Sequence, residues 1–233
     1  MSYGAWVPQF GEDDMCGRFV CSKAPEVYGS FYDVVAPAIA PNFNVAPTTP
    51  VPVIKIENDQ RTCVLQRWGL IPSWAKDKKM SFINARADTL FEKPAFRAAA
   101  KRRRCLILAD GYFEWKAITA KQKQPYYLRP TDGNPIAFAG VWETWKGEGD
   151  PVDSCAIITT DANELTRPIH DRMPVILRGA DAEVWIDPHV EDPTSLAEIL
   201  RPFPAEMMTC FAVGPAVGNV KNKGPQCIEP MET

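Results

Sequence analysis

Apolar residues recur at every second position, or run together in short blocks, through most of the chain after residue 16. The stretches VPVIKIE (51–57), TCVLQRWGL (62–70), CLILAD (105–110), YFEWK (112–116), PIAFAGVW (135–142) and SCAIITT (154–160) are rich in β-branched or aromatic residues. Gly, Pro, Asp or Asn bound most of them, so they are expected to be strands. Residues 17–22 read as a further short strand and 207–213 as a late one. Helical spacing is confined to 25–35, with Pro at its first turn, and to 94–104, 180–186 and 194–200. Residues 36–52 read as a Pro-rich loop. Many short strands, few helices and no regular strand-helix alternation predict an α+β domain built on a curved, mainly antiparallel sheet with flanking helices.

Residues 1–14 carry no such period and are acidic at Glu12, Asp13 and Asp14. They read as an N-terminal extension, removable or absent in the mature protein, with a single domain over 15–233. Composition agrees with one core: among 233 residues, 45% are hydrophobic and 24% charged. No apolar run approaches the roughly 18 residues of a membrane span, and the start has no basic, apolar leader. The expected location is therefore the cytoplasm, beside the nucleoid if the source is bacterial.

Charge narrows the function. A net charge of −3 argues against a protein that coats nucleic acid through phosphate neutralisation, so a nucleic-acid site must be a local basic groove. The seven cysteines (16, 21, 63, 105, 155, 210, 227) form no C-x-x-C pair and have only His170 and His189 for company. Neither structural zinc, nor another metal or cofactor, nor a disulfide framework is expected.

Several residues carry chemistry. If the chain starts at Met15 or is cut after it, Cys16 becomes an N-terminal cysteine with a free α-amine and a thiol. An aldehyde condenses with that amine to an imine, which the thiol closes into a five-membered thiazolidine. The alternative is a buried strand cysteine. Glu114 stands in the aromatic run Phe113-Glu114-Trp115, where partial burial would raise its pKa toward neutrality and suit it to proton transfer. By alternation it points away from both aromatics, so an ordinary solvent-facing position is the competing reading. His170, in Ile169-His170-Asp171-Arg172-Met173-Pro174, sits beside both charge signs, as an acid or base would; a structural His is the alternative.

Asn84 and Arg86, in Asn84-Ala85-Arg86-Ala87-Asp88, offer amide contacts to a sugar and a planar fork for phosphate, with Asn44 upstream in NVAP. Turn and cap chemistry would explain the same asparagines. Trp74, in a polar turn, is the better exposed aromatic for base stacking, whereas Trp68 suits packing. Lys221, in the Gly-Asn-Val-Lys-Asn-Lys-Gly loop, can meet a phosphate. The run Lys101-Arg102-Arg103-Arg104 reads as a solvated helix end.

In order along the chain, MCGRF, NVAP, WGLIPSW, NARAD, EKPAFR, RRRCLILADGYFEW, IHDRMP and VGNVKNKG resemble the SRAP (SOS response-associated peptidase) family over residues 15 to 228. That resemblance implies a barrel-like sheet, an N-terminal cysteine nucleophile and a groove for single-stranded DNA. Cys16 would form a thiazolidine with the ring-opened deoxyribose of an abasic site. Asn84 would orient the sugar and the amine, Glu114 would shuttle protons, and His170 would assist opening of the sugar. Arg18, Arg86 and Arg172 fit positions facing phosphates, Trp74 fits a base wedge, and Asn44 would lie at the DNA side supporting the cysteine loop. Three departures stand out: the residues before Met15, Ala75 where some members have a second aromatic, and Pro94, with Lys93 beside it, where some carry a basic residue.

Three functions follow for testing. The first is covalent crosslinking to abasic single-stranded DNA, with an associated AP lyase activity. The second is a cysteine-type autopeptidase using Cys16, Glu114 and His170. The third is a non-covalent single-stranded DNA binding module. A monomer is expected in each case.

Overall fold

Strands form where the apolar runs are, and the turns between them use the breakers that bound those runs. The computed structural model describes residues 17–231. In chain order the elements are β1 (Phe19–Cys21), α1 (Pro25–Tyr32), β2 (Asn42–Val45), β3 (Pro50–Glu57), β4 (Gln60–Trp68), β5 (Asn84–Arg86), α2 (Arg97–Arg102), β6 (Arg104–Ala109), β7 (Gly111–Ala117), β8 (Lys123–Pro130), β9 (Ile136–Trp145), β10 (Val152–Asp161), β11 (Arg172–Pro174), β12 (Ile176–Leu177), α3 (Gly179–Ile186), α4 (Pro193–Glu198) and β13 (Met208–Ala212). The α+β class and the curved, mainly antiparallel sheet are as expected; the parallel pairings are those of β10 with β4 and β5.

One sheet runs β13-β8-β7-β1-β2. The other runs β11-β10-β4-β3-β6-β9-β12, and β9 also pairs with β10. That pairing joins β10, β4, β3, β6 and β9 into a closed ring, which removes the free edges an open sheet would leave. The two sheets meet through aromatics. Phe19 of β1 lies 5.0 Å from Trp68 and 5.6 Å from Phe138 by ring centroids, and Tyr112 of β7 lies 6.2 Å from Phe138.

β10 has two halves. Its first half belongs to the ring, flanked by β9 and by β4 at Ser154 and Cys155. Beyond Ile157 those neighbours leave, and β5 and β11 take their edges at Thr159. The second half of β10 therefore carries two short strands that the hydrophobic pattern did not announce.

Other departures have local causes. Helix α1, expected through residue 35, stops at Tyr32 because Asp33 turns left-handed at φ 50° and caps onto Gly29 O. Within the expected loop 36–52, β2 pairs with β1. The sequence of β8 contains Pro125 and Pro130, which disguise it; it nevertheless pairs along β7 and β13. The cationic run 101–104 is not a solvated helix end throughout: Arg104 opens β6, is buried, and donates to the carbonyls of Ala100, Lys101, Trp185, Asp187 and Val190.

The segment after β13 folds back over the outer face of the first sheet. Val213, Val217 and Cys227 join Val20, Phe113 and Tyr127 in a second buried cluster. Both faces of β7 are thus covered, and this decides the setting of Glu114. Gly111 at the start of β7 has to be glycine: a Cβ there would lie 2.5 Å from Leu128 O and 2.7 Å from the Tyr127 hydroxyl.

Candidate functional site

Alternation along β7 sends Tyr112 and Glu114 to the face between the sheets and Phe113 to the outer cluster. Glu114 is only 4% exposed, so the solvent-facing reading of this carboxylate is excluded. Its neighbour on the other side is β1, where Phe19 pairs with Tyr112 and Phe113 N–H donates to Arg18 O at 3.0 Å. Carried one pair further, that register sets Gly17 opposite Glu114. Cys16 itself lies outside the described residues.

The second half of β10 gathers another group. Asn84 and Arg86, two residues apart on β5, share one side of the strand. Arg86 sits level with Thr159 and Asp161 with Arg172. The Arg86 guanidinium grips Asp88 through two bonds, Nε to Oδ1 at 3.1 Å and Nη2 to Oδ2 at 2.6 Å. That hydrogen bonding holds the Asp88 carboxyl below the usual carboxylate range.

Arg172 is turned inward, 8% exposed, with Nη2 donating to Thr159 O at 2.7 Å and Thr159 Oγ1 at 3.2 Å. Its Nη1 reaches Asp161 Oδ1 at 3.2 Å. Burial first, then the nearby Arg86, lowers its pKa, while Asp88, Asp161 and Asp171 oppose the shift. Arg172 therefore acts less as a bare phosphate fork than as a buried cation anchored in the strand end.

His170 is half-buried in the turn before β11. Its N–H donates to Thr166 O at 3.0 Å, and Thr166, fully buried, is 3.4 Å from the Tyr112 hydroxyl. Asn163 Oδ1 accepts from the Thr166 N–H at 2.9 Å and from its hydroxyl at 3.0 Å. This chain ties the His170 turn to β7, two residues from Glu114. Nδ1 of His170 has two partners: Asp171 Oδ1 at 2.9 Å and the Arg172 N–H at 3.3 Å. The carboxylate needs a proton on Nδ1 and the N–H needs its lone pair, so whether Nδ1 carries a hydrogen, set by tautomer and charge, selects between them. Burial pushes the His170 pKa below its ordinary value, and Lys123 and Arg172 push the same way against Asp171.

A third group lies under the final loop. Asn44 was expected among DNA-contacting residues, but it is 1% exposed. Its Nδ2 donates to Val217 O, Asn219 O and Asn222 O at 3.0–3.1 Å, and its Oδ1 accepts from Arg18 Nη1 at 3.0 Å. Its amide, engaged and sealed from solvent, holds the 217–222 loop. Arg18 is half-buried; its Nη1 also donates to Val217 O at 2.9 Å, and burial lowers its pKa. Lys221 projects from the clamped loop and is exposed.

Trp74 is 55% exposed in the turn where Ala75 N–H donates to Pro72 O. Ala75, at the departure from the second aromatic, is buried and packs with Ile71 and Trp145, whose indole donates to Ala75 O at 2.8 Å. Trp68 is fully buried and fixes the entry to β5 by donating to Ile83 O at 3.0 Å. Sequence reasoning missed Thr166, Asn163 and Asp161; polar residues of turns and strand ends carry no periodic signal. Asp88 was visible within NARAD but not recognised as the partner of Arg86. Among the described residues there is no cluster of His, Cys, Asp and Glu suited to a metal, and no helix long and apolar enough to cross a membrane.

The chain is similar to known proteins over most of its length. The chain is 41% identical over 222 residues to "Abasic site processing protein YoqW" of Bacillus subtilis, covering 92% of this chain and 99% of that protein. It is 32% identical over 229 residues to "Abasic site processing protein YedK" of Escherichia coli, covering 93% and 100%. The crystal structure of a Bacteroides thetaiotaomicron protein superposes with a TM-score of 0.83 at 28% identity, covering 93% of this chain and all of that one. Residues 15–220 match the family described as SOS response associated peptidase, and the chain belongs to that SRAP family.

Proposed function

We propose that the protein captures abasic sites in single-stranded DNA by a covalent bond through Cys16. The observation that carries this reading is the buried carboxylate of Glu114 beside the point where the chain enters β1, in a protein similar over nearly its whole length to abasic site processing proteins.

The Cys16 amine adds to C1′ of the ring-opened deoxyribose, and water leaves to give an imine. The thiol sulfur then bonds to C1′ while its proton passes to nitrogen, which closes the thiazolidine; the sum is aldehyde plus aminothiol giving thiazolidine plus water. Glu114 carries the protons of these steps, and its burial keeps the transfers out of bulk water. Asn84 orients sugar and amine, and His170 assists sugar opening. Arg86 and Lys221 meet phosphates, Arg18 and Arg172 add positive potential, and Trp74 stacks on a base. The imine also acidifies the C2′ hydrogen, so β-elimination with strand incision accompanies capture as a lyase side reaction.

Ring closure requires a free amine, so residues 1–15 are absent from the active form and 16–233 act as one domain. Self-cleavage after Met15 by Cys16, Glu114 and His170 is one route to it. No metal or cofactor enters these steps, and one copy of the chain suffices, in the cytoplasm.

The test mixes protein starting at Met15 with a single-stranded oligonucleotide carrying one abasic site. The expected product is an adduct that survives denaturing electrophoresis and is lost in Cys16→Ala. A wild-type protein that gives none would refute the proposal. Intact mass of the full-length chain tests self-processing: residues 1–15 should be lost from wild type and retained in Glu114→Ala.

A further inference from the structure

The basic residues gathered at the end of β10 lie close together around one strand end. Arg86, Arg172 and His170 each face a carboxylate: Asp88 at 2.6 Å, Asp161 at 3.2 Å and Asp171 at 2.9 Å. Arg172 feels Arg86, Asp88, Asp161 and Asp171 together, so these charges form one electrostatic cluster. By contrast, among the described residues Lys93, Arg97, Lys101, Arg102, Lys221 and Lys223 are exposed and belong to none of the ion pairs found.

Asp88 is the most telling of the three carboxylates. It is about half exposed, as is Arg86, at 52% and 59% of their side chains, so a strand arriving from solvent can reach both. It occupies the Nε–Nη2 edge of Arg86 with two bonds. That edge is one of the two an arginine can offer to a pair of phosphate oxygens. Phosphate and Asp88 carry the same charge and the same fork-matching geometry, so they compete for one set of donors.

We propose that Asp88 is a specificity-determining residue that holds down the affinity for undamaged single-stranded DNA by competing with backbone phosphate for Arg86. A strand whose phosphate takes that edge must displace Asp88, whether or not it carries a lesion. Only an abasic strand recovers that cost, because its aldehyde goes on to an irreversible or slowly reversed bond. Selectivity then rests on the covalent step rather than on phosphate contacts, which are blind to damage. The negative overall charge of the chain points the same way. This inference rests on the function proposed above.

The experiment measures equilibrium binding of undamaged single-stranded DNA in the Cys16→Ala background, so crosslinking plays no part. Asp88→Asn should raise affinity about five- to tenfold at low salt, with the gain shrinking as salt rises. In an Arg86→Ala background the same substitution should change affinity less than twofold. Unchanged or weaker binding in Asp88→Asn, or an equal gain without Arg86, would overturn the proposal; the latter result would mean general charge repulsion. Asp88→Ser, which retains an oxygen able to accept from the following turn, repeats the test should Asp88→Asn melt below the parent. The adduct assay on protein with Cys16 intact is read separately. An adduct without the Asp88 effect sinks this inference alone, and no adduct sinks the function on which it rests.

Discussion

The Asn44 clamp and the Arg172 edge are built from the same kinds of residue and do opposite things. At the clamp, an asparagine and an arginine are engaged by each other and by main-chain carbonyls of the 217–222 loop. Those partners are part of the chain and cannot be exchanged for a ligand. At the edge, two arginines and a histidine face carboxylates whose side chains are 52–85% exposed. The Arg86–Asp88 pair, exposed on both sides, can be exchanged for phosphate at modest cost, because exposed ion pairs are worth little. A polar residue in a family motif is therefore a scaffold or a contact according to what satisfies it.

The comparison breaks most visibly at Asn44. Asn44→Ala removes one donor from each of three carbonyls and one acceptor from Arg18 in a buried setting, and we expect a loss of about 3 kcal/mol of stability. By calorimetry that is a fall in melting temperature of about 5–10 °C for a chain of this size. Asp88→Asn should stay within about 0.5 kcal/mol of wild type. Should Asn44→Ala melt like wild type, the clamp is not a scaffold.

Trp74 sharpens the contrast from the exposed side. Trp74→Ala should leave the melting temperature nearly unchanged yet weaken single-strand binding by about 1–3 kcal/mol, the usual worth of a stacked base. Equal binding by the two proteins would remove Trp74 from the interface.

The edge should also respond to pH. Burial lowers the His170 pKa from its ordinary value of 6.5, so the folded state favours the neutral ring and the unfolded chain takes up the proton first. Stability from this group is complete above pH of about 7 and falls as pH drops through 6.5 toward the lower folded value. His170→Gln should flatten the decline as pH falls through 6.5, measured by denaturant titration; an unchanged slope would mean another group governs it. The smallest effect belongs to Lys221. Lys221→Ala should leave stability unaltered and reduce the slope of log affinity against log salt by about 0.7, one phosphate's worth for a single strand. No change in slope would leave the loop outside the DNA path.

Much of the fold is written locally. Alternation of β-branched and aromatic residues determined β3, β4, β6, β7, β9 and β10 within a few positions, because a strand with one or both faces buried needs that pattern along its own length. The order of motifs likewise determined the family, and the residue types determined which side chains can do chemistry. The tertiary structure decided the rest. Strands β5, β11 and β12 are only two or three residues long and exist because β10 and β9 offer them edges. Glu114 is buried because residues from 213 onward cover one face of β7 and the second sheet covers the other. Asn44 became a clamp because a loop more than 170 residues away in sequence presents its carbonyls to it. Burial and hydrogen-bond partnership are properties of neighbours distant along the chain, and periodicity at one position carries no information about them.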